Sequence, residues 1–174
     1  NQLQMKNNIL LFGVLFFLQV FVLNKVLFYQ YIILSPVLII LLLYKYQKDS
    51  KENLFFSFLI GFLIDIFNDS LGIYSITSLI VVFFRNFWVL KIVGEEKTEE
   101  INMLTVHELG IFQNTLYAIP IIILFFSMLS LFESDLFFSI NNLLFIIISG
   151  FVNYIFILLF QYLFFDNNIR DEWR

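Results

Sequence analysis

Residues 61–75 read Gly-Phe-Leu-Ile-Asp-Ile-Phe-Asn-Asp-Ser-Leu-Gly-Ile-Tyr-Ser, an acid and a polar knot set in a chain that is otherwise apolar. Steps of three and four place Gly61, Asp65 and Asn68 on one stripe of a helix. Ser57 and Gly61 are two small residues four apart, which lets another helix approach closely. Asn68-Asp69-Ser70-Leu71-Gly72 has the chemistry of a tight turn: Asp and Ser can cap a following helix, and Gly permits a positive φ. A turn this short implies an antiparallel hairpin of two helices. Three readings of Asp65 stand open at this point. It is a wet carboxylate at a helix end, or a structural or partner-contacting acid in a polar crevice, or a proton or ion relay. The relay is the weakest, because no second ionisable residue is expected at the same depth.

The flanking composition says what solvent this hairpin lives in. Of 174 residues 60% are hydrophobic and 14% charged, with 25 Phe. Globular domains carry roughly 25% charged residues, and a soluble fold of this size cannot hide so much apolar surface. The class is therefore an all-α integral membrane protein, with a single compact domain expected over residues 5–166. Met5 is expected to be the natural start, with residues 1–4 an addition ahead of it and 167–174 a short cytoplasmic tail. The first apolar run lacks a small-residue cleavage pattern and reads as a retained span. There is no Cys and one His, so neither a disulfide framework nor a conventional zinc site is expected. A net charge of −4 gives no basic surface for nucleic acid.

About 20 apolar residues cross a bilayer. Six such spans are expected, at about 9–23, 28–44, 53–68, 71–90, 106–132 and 137–165, packed in one bundle. With both termini inside, nine of the ten basic residues fall on the inner side and only Lys25 outside, the asymmetry that orients membrane proteins. Trp88, between Arg85 and Lys91, suits an inner aromatic belt. Arg85 is expected to snorkel to the inner headgroups. Its depth differs from that of Asp65 by roughly 20 Å, so the two are not expected to pair. Thr105-Val-His-Glu108 fits a helix-capping box, with His107 facing water in the first turn of the fifth span. Pro120 should kink that span, its freed carbonyl met by a neighbour. Pro36 is expected to break span two near its outer end. In span six, Asn142, Ser149 and Asn153 share a stripe and read as interhelical glue. No nucleophile–base pair and no phosphate loop is visible, so no catalytic, metal or cofactor residue is assigned.

Gly61-x-x-x-Asp65, a short polar turn, then Gly72 and an apolar helix ending in Arg85 resembles the signature region of the MreD family of rod-shape-determining membrane proteins. Gln19 late in span one and Pro-x-Leu-x-x-Leu-Leu from Pro36 to Leu42 resemble the family too. The turn here, Asn-Asp-Ser-Leu, departs from the family in having no Pro. The resemblance covers nearly the whole chain. It implies a non-enzymatic component of the bacterial elongation (rod) complex in the inner membrane. The implied partners are an MreC-like periplasmic membrane protein and, through it, the MreB cytoskeleton and the RodA and penicillin-binding synthases. It also implies a fold like the six-helix substrate-binding subunits of energy-coupling-factor transporters. Gly61, Asp65, Asn68, Gly72, Gln19 and Asn153 are the candidate packing or partner contacts. A vitamin-binding subunit of such a transporter is the alternative. The first span has no alanine at four-residue spacing, and the outer turns are short, which count against it. A small membrane enzyme comes third.

Overall fold

A computed structural model describes residues 13–17, 32–44, 51–101, 103–133 and 139–165. Residues 13–17 are helical. The helices that follow are α1 (Val37–Leu43), α2 (Lys51–Asn68), α3 (Ile73–Val93), α4 (Glu95–Glu100), α5 (Val106–Leu109), α6 (Ile111–Glu133) and α7 (Ile140–Phe165). Three of them, Ile73–Val93, Ile111–Phe132 and Ile140–Phe165, are long and apolar enough to cross a membrane. The termini, and with them Gln19, Lys25 and the tail at 167–174, lie outside the described residues.

The distribution of polarity is that of a protein solvated by lipid. Phe55, Phe62, Phe83, Phe87, Ile147, Phe151 and Leu159 are exposed on the helix exteriors. Asn53, Ser57, Asp65, Ser78, Arg85, Asn114, Ser149, Asn153 and Gln161 are buried. In water, so large an exposed apolar surface would drive association. In a bilayer it costs nothing, and the polar side chains turn inward to find each other and the backbone.

α2 and α3 form the antiparallel hairpin expected from residues 61–75 and make the most extensive helix pairing. α3 also packs on α6, and α6 on α7. α1 is apolar on every face, VLIILLL, and every one of its residues is buried. A helix without a polar stripe belongs inside a bundle, and α1 lies in the core with residues from α2, α3, α6 and α7 around it.

Two expected spans are corrected. Residues 28–44 are not one continuous helix, because residues 33–35 are non-helical and α1 starts only after Pro36, with φ −55° at its N-cap. Proline disfavours the helical conformation in the residue before it and, lacking an N–H, suits the start of a helix, so α1 begins here. The fifth span does not start at Val106. The short α5 ends at Gly110, whose φ is +79°, and α6 begins at Ile111. Thr105 occupies the N-cap of α5 but makes no side-chain cap bond. The first N–H of α5, that of Val106, is instead accepted by Gln161 Oε1 from α7 at 2.7 Å. His107 is half-buried, its ring edge-on to Tyr162 at 5.3 Å between centroids, where water-facing exposure was expected.

Candidate functional site

The hairpin end is built around one carboxylate. α3 begins after Gly72, whose φ of +83° is the left-handed conformation glycine favours. Glycine brings no side chain, so it makes no cap bond, yet the first N–H groups of a helix need acceptors. Asp65 supplies them from the preceding helix. Its Oδ1 accepts the Tyr74 N–H at 2.9 Å and its Oδ2 the Ser75 N–H at 2.8 Å. Ser70 Oγ donates to Oδ1 at 2.6 Å, and Ser75 Oγ donates to Oδ2. Both oxygens are thus occupied, and the residue is only 5% exposed. A negative charge at the positive end of α3 is favourable in its own right.

Such a reach needs α2 and α3 nearly in backbone contact, and Gly61 permits it. A Cβ at Gly61 would lie 2.5 Å from the Tyr74 carbonyl oxygen and 2.6 Å from the Ser75 Cα. Both are backbone atoms, so no side-chain rotation could relieve the clash. Gly61, Asp65 and Gly72 therefore serve one object, the joint between two helices. Asp69 takes φ +53° in the turn, tolerable for Asp. Asn68 ends α2 with its amide nitrogen buried and without a partner among the described residues.

The second polar centre was not expected. Arg85 is 1% exposed and does not snorkel. Its Nε donates to Tyr117 Oη at 2.7 Å, and its Nη2 donates to the Tyr44 carbonyl. Tyr117 Oη in turn donates to the Leu42 carbonyl at 2.9 Å. Leu42 and Tyr44 lie at the C-terminal end of α1, where carbonyls lack intrahelical partners and the helix dipole is negative. A guanidinium and a phenol from α3 and α6 close that end. This demand for donors, inside the bundle, is why Arg85 turns inward. Among the described residues no carboxylate pairs with it. In particular Asp65 and Arg85 have no partner in common.

The other end of the same segment is held by α7. Asn153 Oδ1 accepts the Ser35 N–H at 2.8 Å, and its Nδ2 donates to the Ile33 carbonyl at 2.6 Å. Ser149 Oγ accepts the Ile33 N–H at 3.3 Å. Non-helical backbone within a membrane protein survives only where something internal satisfies it, and Asn153 and Ser149 do so here. Asn142 shares their stripe in sequence, and its backbone N–H goes to Ser139 Oγ at 3.2 Å, at the start of α7. Pro120 shows the same logic. It leaves the Leu116 carbonyl without a helical N–H, and the indole of Trp88 donates to that carbonyl at 3.0 Å.

Sequence reasoning missed Tyr117 and Tyr44. A Tyr buried among isoleucines in α6 is the one signal that pointed to the former, because a buried phenol needs a partner. Among the described residues no group of three His, Asp or Glu side chains could hold a metal. No protein-family model, no curated protein and no solved structure matches the chain.

Proposed function

We propose that the chain is an MreD-type scaffold of the bacterial elongation complex, crossing the inner membrane six times with both termini in the cytoplasm. The observation that carries this reading is that Gly61, Asp65 and Gly72, the residues on which the resemblance rests, act together on a single joint. The distribution of basic residues supports the orientation. The nature of the polar centres supports a non-enzymatic role. Asp65, Arg85, Ser149 and Asn153 spend their hydrogen bonds on the protein's own backbone and side chains, which suits a rigid body that acts through its surface. In this reading the second span is the interrupted one, with residues 33–35 and α1 lodged inside the bundle. The rigid bundle offers its apolar faces to the lipid and to the membrane helices of an MreC-like partner, and through it bears on MreB and the RodA and penicillin-binding synthases.

The test is depletion in a rod-shaped host together with affinity purification of the tagged chain in mild detergent. Rounded cells and recovery of the MreC-like protein are the expected results. Unchanged cell shape with no such protein recovered would sink the assignment.

A further inference from the structure

Gly150 is used differently from Gly61. A Cβ there would meet Ile122 Cγ2 and Ile123 Cγ1 at 3.9 Å, which is ordinary contact. The packing of α7 on α6 therefore does not require a glycine, and what its bareness leaves is a groove. Gly150 and the buried Ile122 form the floor, and Ile119, Ile123, Ile147 and Phe151 stand exposed along the rim. The groove has a volume of about 190 Å³, larger than an apolar cavity of roughly 150 Å³ that admits benzene. Ile122 and Gly150 lie near the middle of α6 and α7, and both helices are long and apolar enough to cross a membrane. The groove thus opens at the depth of hydrocarbon, away from both headgroup layers. Tyr154 brings the one polar side chain on its wall, and the Tyr154 hydroxyl is already engaged with Thr115 Oγ1 at 2.5 Å.

We propose that this groove is a lipid-binding site that holds one acyl chain of a membrane phospholipid. A partner's helix is the occupant it does not suit. Helices in lipid dock closely where small residues recur at four-residue spacing or where polar side chains reach across. The residues four before and four after Gly150 are Ile146 and Tyr154, and the rim is bulky, so a second helix backbone is held off. The groove is also too small for a helix, whose diameter is about 10 Å. A flexible run of methylenes fits it. Left unfilled, the lining would forfeit its dispersion contacts, and water does not replace them, because an apolar cavity stays dry. The site stands apart from the MreD reading and rests only on the chain lying in a membrane.

The direct test is a crystal structure of the intact chain, grown from a lipid phase that contains a phospholipid brominated on its acyl chains. Anomalous bromine peaks between Ile123 and Phe151 are expected. An empty groove overturns the proposal, and so does one filled by a side chain of another protein molecule. Native mass spectrometry after detergent exchange gives a second readout. The parent should retain one phospholipid, and Gly150→Leu, whose side chain fills the floor, should retain none. Ile147→Ala, at an exposed rim position on which the fold does not depend, should retain less than the parent. Retention equal to the parent's in the variants would contradict the site.

Discussion

Asp65 and Arg85 are both buried charges in apolar helices, yet they are solved in opposite ways. The Asp65 carboxylate is satisfied within its own hairpin, by partners 5–10 residues away. Arg85 is satisfied by groups 32 and 41 residues away, on α6 and at the end of α1. Asp65 ties two neighbouring helices into a joint, and Arg85 ties together three elements distant in sequence. The comparison teaches that one membrane protein uses a local acid to build a turn and a remote base to close the end of a helix. Among the described residues, in neither place is the charge spent on an opposite charge.

That difference can be broken at several points. The largest effect is expected from Gly61→Val. The added carbons meet backbone of α3 on the most extensive helix pairing of the fold, and overpacking a rigid contact costs about 3 kcal/mol. Thermal unfolding in detergent should show a much lower midpoint or no folded protein, and an unchanged midpoint would mean that the helices do not approach as described. Next is Asn153→Ala, which strips partners from the Ser35 N–H and the Ile33 carbonyl. Buried backbone groups left unsatisfied cost about 2 kcal/mol. Its effect should appear as faster amide exchange at residues 33–35, with the hairpin at 65–75 unaffected. Tyr117→Phe is the smallest, about 1 kcal/mol, since it removes a hydroxyl and leaves the ring. It sharpens the comparison because Arg85 keeps the Tyr44 carbonyl, so the loss should be confined to the end of α1.

The same contrast explains what could be read from the sequence. The hairpin was legible because its determinants are adjacent. Gly61, the polar knot and Gly72 announce close approach and a turn within a dozen residues, and helix periodicity places them on one side. Even there the assignment of Asp65 stayed open, because nothing in the spacing says that Gly72, lacking a side chain, would leave the start of α3 to be capped from the previous helix. The buried role of Arg85 was not legible. An Arg near a Lys and a Trp reads as interfacial, and only the fold shows carbonyls of Leu42 and Tyr44 waiting beside it. Pro36 marked a break, but residues 28–44 still read as a span, because apolar runs do not distinguish a lipid-facing helix from α1, a seven-residue helix buried on all sides. Thr105 and Glu108 matched a capping pattern, yet Thr105 makes no side-chain cap bond and the Val106 N–H goes to the distant Gln161. In each failure the deciding partner lies on another element.

The central claim is that Asp65 is the cap of α3 and is not a surface for a partner. The most direct measurement is hydrogen exchange at the Tyr74 and Ser75 amides in Asp65→Ala, read together with the melting temperature of the purified protein. The account predicts loss of protection at both amides and a destabilisation of about 2 kcal/mol, in the absence of any other protein. Full protection and an unchanged melting temperature, with only the capture of a partner lost, would contradict it.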